Sequence, residues 1–170
     1  MVKKVIFALI NFLSIAIIAA AVAVLCIVLM TKPGKAPSVL GYTVLRVTTG
    51  SMAPTYEVDT LIVVKKTDPA EIREGDVISF YSLDPALDGA VNTHRVVSVE
   101  KEGDGYIYQI KGDANNVADA YDVQSEYLVG KVIWSSLILG KISRLAANPL
   151  IFIPVILLPL SVILLTNLIH

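Results

Sequence analysis

Residues Tyr42–Lys66 read YTVLRVTTGSMAPTYEVDTLIVVKK, two β-rich runs on either side of a short polar turn. β-branched and aromatic residues favour strands, and the glycine and proline of the turn suit a change of chain direction. Runs of the same kind follow along the chain: VISFYS, HRVVSVE, YIYQIK and LVGKVI. EGDGY, at Glu102–Tyr106, predicts a hairpin between two of them. We therefore predict a mainly β fold, a small antiparallel β domain over residues 42–148.

DPAEIREGD, at Asp68–Asp76, is the one stretch of this domain that predicts a short helical turn. Before the domain, TKPGKAPS at Thr31–Ser38 carries two prolines and a glycine, which end a helix. We assign residues 31–41 to a linker. The span from 42 to 148 has enough residues for one small hydrophobic core and not for two domains.

The two ends of the chain are strongly apolar. Hydrophobic residues make up 55% of the sequence and the mean hydropathy is +0.68, values typical of chains with membrane segments. Val5–Met30 carries no charge and is long enough to cross a hydrocarbon core of about 30 Å. The alternative is a cleavable secretory signal, but the apolar region of such a signal has only about 7–15 residues. We predict an uncleaved N-terminal transmembrane helix over residues 5–30.

Leu150–Ile169, LIFIPVILLPLSVILLTNLI, is a second apolar run of spanning length. Its prolines, Pro154 and Pro159, are tolerated better in membrane helices than in soluble ones. We predict a second transmembrane helix over residues 150–169, with a buried or interfacial C-terminal hairpin as the open alternative.

Charge predicts the topology and limits the function. Lys3 and Lys4 precede the first apolar run, so residues 1–4 are expected in the cytoplasm and the β domain on the outer face of a plasma membrane or the lumenal face of an endoplasmic-reticulum-type membrane. Residues 32–148 hold all 15 acidic residues and 12 of the 14 Lys and Arg, a net charge of −3. This mildly acidic balance without a basic stripe argues against nucleic-acid binding. The single cysteine, Cys26, has no companions for a disulfide or a metal site, and we expect no metal or cofactor.

Ser51, at the tip of the polar turn, is a candidate nucleophile that needs a base. His94 is the only histidine of the predicted domain, since His170 ends the chain. KGDANNVAD places Asp113 and Asp119 in a polar loop, and one of them could accept the Nδ1 proton of the histidine. That loop lacks the ligand alternation and closing glutamate of a calcium-binding loop. On these residues alone, a serine hydrolase remains one interpretation beside an ordinary structural turn.

Four stretches taken together, TGSMAPT, GDVISF, HRVV and KGDANNVAD, resemble the type I signal peptidase family in order and spacing. The similarity is to its archaeal, endoplasmic-reticulum and sporulation-type branch, and it covers about residues 44–131 and the N-terminal anchor. The resemblance implies that Ser51 is the nucleophile. It also implies a Ser–His–Asp site, because His94 stands where other members carry a lysine. Of the two carboxylates six residues apart, Asp119 is the implied triad member, and Asp113 has a supporting or alternative role.

The same resemblance implies cleavage of signal peptides from exported preproteins, with small residues before the cleaved bond. The backbone N–H of Ser51 and the hydroxyl of Thr49 would form the oxyanion hole, although Thr49 equally fits an ordinary β-branched strand residue. Met52 is expected to contact substrate or lipid. VIWSSLILG, at Val132–Gly140, is expected either on the lipid surface or in an ordinary core strand. Accessory subunits or the secretion machinery are further partners that the family implies.

Two alternatives remain open at this stage. The first is a Ser–Lys dyad that uses Lys65, Lys66 or Lys111, although a lysine base has to be buried to lose its proton. The second is a membrane-tethered β module that binds exported proteins without cleaving them.

Overall fold

The computed structural model describes residues 2–30 and 35–169, which divide into two compact units. One unit holds the two long helices, and the other is the β domain. Of the features predicted above, Met1, the first part of the linker at 31–34 and His170 lie outside the described residues.

Eight strands form one sheet in which all hydrogen-bonded neighbours are antiparallel. They are β1 (Ser38–Val39), β2 (Tyr42–Arg46), β3 (Leu61–Lys65), β4 (Val77–Tyr81), β5 (Val91–Glu102), β6 (Gly105–Lys111), β7 (Val123–Gln124) and β8 (Leu128–Ser136). Their order in the sheet is β1-β2-β3-β8-β4-β5-β6-β7. The last strand therefore lies inside the sheet, between β3 and β4, and joins the first half of the domain to the second.

The antiparallel β prediction is confirmed, and each of the six predicted strands is present. The predicted hairpin joins β5 to β6 through Gly103, whose φ of +58° suits a residue without a Cβ. The predicted helical turn is a 3₁₀ turn at Pro69–Glu71, capped by the carboxylate of Asp68. Two further 3₁₀ turns lie at Pro85–Leu87 and Ser125–Tyr127. The two-residue strands β1 and β7 were not predicted, because two residues show no periodicity.

The core of the β domain consists of two clusters of buried side chains. The first cluster is Ile72, Ile78, Phe80, Val96, Tyr108, Ile110 and Val123, on β4, β5, β6 and β7 and the turn before β4. The second cluster is Met52, Ile62, Val64, Val77 and Val132, on β3, β4 and β8 and the turn after β2. Strand β4 contributes to both clusters because successive side chains of a strand point to opposite faces of the sheet.

Three helices complete the described chain: α1 (Val2–Met30), α2 (Leu137–Ala146) and α3 (Pro149–Ile169). Helices α1 and α3 lie against each other, and α3 contains both prolines of the second apolar run. Among the residues that the structure describes, no helix has both the length and the apolar content needed to cross a membrane. The segment predicted either as a core strand or as a lipid contact is divided, since β8 ends at Ser136 and α2 begins at Leu137.

Candidate active site

Ser51 lies in a turn that is held in place by the buried side chain of its neighbour, Met52. The turn follows β2 and is closed by backbone hydrogen bonds from Ala53 to Gly50 (3.0 Å) and from Tyr56 to Met52 (2.8 Å). The side chain of Met52 is 1% exposed and belongs to the second core cluster. A side chain buried this far has no surface to offer a bilayer, so the expected lipid contact of Met52 is wrong. Its burial holds the adjacent Ser51 in place instead.

His94 lies on β5, opposite Ile78 of β4, and its side chain is buried. Its ring and that of Phe80 form a T-shaped pair with 6.4 Å between the ring centroids. Its Nδ1 is hydrogen-bonded to the carboxylate of Asp119, and its Nε2 lies 3.0 Å from Ser51 Oγ. A carboxylate only accepts hydrogen bonds, so Nδ1 carries the proton and Nε2 of the neutral ring is free to accept the serine proton. The geometry is that of a nucleophile, a base and an orienting group.

The loop that carries Asp119 docks directly on the serine turn. The N–H of Ala114 donates to the carbonyl of Ser51 at 2.8 Å, and the N–H of Asp119 donates to the carbonyl of Ile110 at 2.9 Å. One end of this loop is thus fixed to the serine turn and the other to β6. These backbone contacts hold Asp119 against the histidine ring.

Asp113, the other carboxylate of the loop, pairs with an arginine and not with the histidine. Arg95 donates to it through Nε (2.8 Å) and Nη2 (2.7 Å), and through Nη1 to the carbonyl of Gly75 (2.8 Å). The hydrogen bonds from Arg95 hold the pKa of Asp113 below its ordinary value, against the opposing effect of burial, and Thr55 adds a further hydrogen bond. Asp113 therefore ties the loop to the neighbour of the histidine and to the serine turn.

The lowered pKa of Asp113 predicts a pH-dependent contribution to stability. A folded-state pKa below the unfolded value stabilises the fold above the ordinary carboxyl range, and this contribution is lost as the pH falls through the folded pKa. We expect Asp113→Asn to lower the Tm at pH 7, and the difference from wild type to shrink as the pH falls from 3.8 downwards. Thermal unfolding at several pH values measures this. The matched control is Glu100→Gln, an exposed carboxylate on β5. A Tm difference that stays constant down to pH 2 would contradict the prediction.

Gly112 allows the loop and the serine turn to approach each other. A Cβ at this position would lie 2.7 Å from the Ser51 carbonyl oxygen and 2.8 Å from Nδ2 of Asn115. We expect Gly112→Ala to push the loop away from the turn and to destabilise the domain by about 1–3 kcal/mol, as overpacking does. Denaturant unfolding measures the loss. Gly50→Ala is the control because its Cβ would meet open space, and an equal loss in both variants would contradict the role of the close approach.

The remaining predicted residues fall into two groups. Thr49 lies beyond the end of β2, and its Oγ1 is 3.3 Å from Ser51 Oγ, so it is beside the nucleophile and outside any strand. Lys65 and Lys66 are both exposed at the end of β3. Lys111 is half-buried and lies opposite Arg95 in the sheet. A lysine base has to lose its hydration, which the exposed pair retains.

Arg95 and Gly112 are the site residues that sequence reasoning missed. The signal for Arg95 was present, because a second carboxylate in the loop needs a cation and Arg95 directly follows His94. No sequence pattern pointed to Gly112, since its role depends on the approach of a turn about 60 residues earlier in the chain.

Two depressions meet at Ser51. The small recess has a volume of about 150 Å³, and its lining includes Met52, Ile62 and Thr93. The large cleft has a volume of about 800 Å³, and its lining includes His94 and Asp119. Thr49, Ser51 and Asn92 line both. The hydroxyl of Ser51 is therefore open to a polypeptide that runs from one depression into the other.

Comparison with known proteins identifies the family to which the chain is similar. The chain is 38% identical over 118 residues to signal peptidase I W of Bacillus subtilis (strain 168), which covers 68% of this chain and 60% of that relative. The chain belongs to the type I signal peptidase family. This confirms the family that the four sequence stretches predict. No family model matches the chain.

The chain spans 60% of the length of the curated signal peptidase it matches. The serine turn, the histidine and the loop with two carboxylates carry the resemblance to the type I signal peptidase family. The structure brings Ser51, His94 and Asp119 into one hydrogen-bonded line and places Asp113 beside it on Arg95.

Proposed function

We propose that this protein is a membrane-bound serine endopeptidase that removes signal peptides from exported preproteins. The observation that carries the proposal is the hydrogen-bonded line from Asp119 through His94 to Ser51, with 3.0 Å between His94 Nε2 and Ser51 Oγ. Its position where two depressions meet supports a polypeptide substrate. Membership of the type I signal peptidase family supports the substrate class.

The proposed reaction is acyl transfer. Ser51 Oγ attacks the carbonyl carbon of the scissile peptide bond while His94 Nε2 takes the serine proton. The C–N bond then breaks, and His94 gives that proton to the leaving amine. A water, deprotonated in turn by His94, hydrolyses the acyl-enzyme and restores Ser51. Throughout, Asp119 holds the proton on Nδ1 and stabilises the imidazolium.

The oxyanion of the tetrahedral intermediate is proposed to bind the backbone N–H of Ser51 and the hydroxyl of Thr49. The distance of 3.3 Å between the two hydroxyl oxygens supports this role for Thr49. A donor of this kind contributes about 10²–10³ in kcat in serine peptidases.

The small recess is proposed to hold the side chain that precedes the cleaved bond. Its volume of about 150 Å³ and its floor of buried Met52 and Ile62 favour a small apolar residue such as alanine. Substrate contact is thus the remaining role that we propose for Met52.

The membrane is proposed as the site of action, with the apolar runs 5–30 and 150–169 as anchors, the N-terminus in the cytoplasm and the β domain on the outer or lumenal face. The uncharged sequence of the first run supports an anchor. An anchored enzyme meets a substrate whose apolar segment is already in the bilayer, and confinement of both partners raises their effective concentration. Accessory subunits or secretion machinery are compatible partners.

One face of the sheet is proposed to rest on lipid. Val44, Val63 and Trp134 are cross-strand neighbours on β2, β3 and β8, and Val44 and Trp134 are about half exposed. Leu40, in the turn between β1 and β2, is 94% exposed. A contiguous exposed apolar face of this kind marks an interaction surface.

Trp134 is the only tryptophan of the chain, so its fluorescence reports on this face alone. We expect a blue shift when the protein is transferred from detergent to phospholipid vesicles, and quenching by lipids brominated near the headgroup. Quenching by iodide in the aqueous phase should fall at the same time. Unchanged iodide quenching together with no bromolipid quenching would contradict the lipid contact.

Cleavage by the purified full-length protein in liposomes tests the proposed function. A preprotein with alanine before the cleavage site is incubated with the wild type, and the new N-terminus is identified by mass spectrometry. We expect one cut after the signal peptide, no cut by Ser51→Ala, and normal cleavage by Lys65→Ala/Lys66→Ala. Binding of the preprotein without cleavage would favour the non-catalytic module. Loss of cleavage in the lysine variant with an active His94→Ala would favour the Ser–Lys dyad.

A further inference from the structure

The two depressions at Ser51 differ in which catalytic group they contain. Among the residues that the structure describes, the lining of the small recess includes Thr93 and does not include His94, while Asn92 lines both depressions. The lining of the large cleft includes both His94 and Asp119. The imidazole therefore faces the large cleft.

Acyl transfer assigns the two halves of the substrate to the two depressions. The leaving amine takes its proton from Nε2 of His94, so the segment that follows the cleaved bond has to leave on the histidine side. That side is the large cleft. Its volume of about 800 Å³ accommodates several residues, whereas the small recess of about 150 Å³ accommodates one small side chain.

The large cleft is also acidic. Three carboxylates line it, those of Asp84, Asp119 and Asp122, and its described lining contains no lysine or arginine. Asp119 is committed to His94, and the charge of the imidazolium offsets it during the reaction. Asp84 caps the 3₁₀ turn at Pro85–Leu87 and is half-buried, and Asp122 is exposed. The last two carboxylates therefore give the cleft a net negative charge.

We propose that the large cleft binds the segment that follows the cleaved bond, and that Asp84 and Asp122 make it favour basic residues and disfavour acidic ones at the first positions of that segment. This inference rests on the proposed function and deepens it, because it assigns the specificity on the leaving side. The new α-amine has an ordinary pKa of about 7.7–8.0 and is largely cationic near pH 7, so it adds to the same attraction.

Peptide cleavage tests the inference. Three peptides share one signal sequence with alanine before the cleaved bond and differ only at the second residue after it, which is Lys, Gln or Glu. The full-length protein in detergent micelles cleaves each, and kcat/KM is expressed relative to the Gln peptide for every variant. Attraction between two opposite charges about 7 Å apart in water raises kcat/KM about threefold. Exchanging Lys for Glu in the peptide turns this attraction into a repulsion of similar size. We expect a Lys-to-Glu ratio of roughly 10 at low salt in the wild type, falling towards 1 in 1 M salt, where the Debye length is about 3 Å.

Asp84→Asn/Asp122→Asn is the test variant. Asparagine keeps an acceptor oxygen for the cap at position 84, so the turn is retained. We expect the Lys-to-Glu ratio of this variant to fall to about 2 or below at low salt. Glu102→Gln/Asp104→Asn, which removes two exposed carboxylates at the β5–β6 hairpin outside the cleft, is the matched control and should keep the wild-type ratio.

The outcomes separate the inference from the proposed function. A wild type that cleaves the Gln peptide but shows no preference between Lys and Glu overturns the inference and leaves the proposed function standing. An equal fall of the ratio in the test and control variants also overturns it, because the preference would then come from net charge. Absence of cleavage of every peptide would overturn the proposed function, and the inference with it.

Discussion

Ser51→Ala is expected to lower kcat for preprotein cleavage by about 10⁶-fold, the scale on which serine peptidases lose activity without their nucleophile. The physical reason is that Oγ of Ser51 is the hydroxyl that contacts the base, at 3.0 Å from Nε2 of His94, whereas the hydroxyl of Thr49 contacts Ser51 Oγ at 3.3 Å. His94→Ala should cost about as much, because the serine proton then has no acceptor at that distance. Single-turnover assays with a large excess of enzyme in liposomes measure losses of this size.

The double variant Ser51→Ala/His94→Ala should be no less active than either single variant. Residues that act as one catalytic unit lose their activity together, so their effects do not multiply. Losses that multiply would mean that the two side chains contribute independently, and the hydrogen-bonded line would then have no catalytic meaning. Far-ultraviolet circular dichroism of each variant serves as the folding control.

The second large expected effect is a difference in kcat between variants of the two carboxylates of the loop. Asp119→Asn is expected to lower kcat by about 10⁴-fold, because an amide in place of the carboxylate permits the wrong tautomer of His94. Asp113→Asn should cost on the order of 10²-fold, the scale of a displaced catalytic group, because Asp113 contacts Arg95 and positions the loop.

Thermal stability is expected to rank these two variants in the opposite order to kcat. Asp113→Asn leaves the guanidinium of Arg95 without its bidentate partner and should lower the Tm more than Asp119→Asn does. The kinetic assay is that described for Ser51→Ala, and the Tm is read from circular dichroism. A larger kinetic loss in Asp113→Asn than in Asp119→Asn would contradict the roles assigned here and would make Asp113 the orienting group.

The strands and the serine turn could be predicted from the sequence because the patterns that define them are local. Runs such as YTVLRV and VISFYS are long enough to show β composition, and each is a strand of the sheet. The position of β8 between β3 and β4 could not be predicted, since no local signal reports which distant strand a run will pair with.

Within the candidate site, the residue types were readable and their partners were not. Ser51, His94 and Asp119 follow from the scarcity of histidine and from the motif resemblance. The contact of Asp113 with Arg95 depends on the register of β5 against β6, which places Arg95 opposite Lys111 at the start of the loop. The burial of Met52 could not be predicted for a related reason: an apolar residue in an exposed turn suggests a surface contact, but here the turn folds its side chain back into the second core cluster.

The division of the core into two clusters has a consequence for catalysis. Ser51 is held through Met52 on the second cluster, whereas His94 packs against Phe80 of the first and the Asp119 loop leaves β6 from the same side. The candidate nucleophile and its base thus rest on different clusters of the core, and the loop that carries Asp119 joins them through its hydrogen bond to the Ser51 carbonyl. We expect a change in the packing of either cluster to move the serine relative to the histidine. Core substitutions far from the site are therefore expected to lower activity before they unfold the domain.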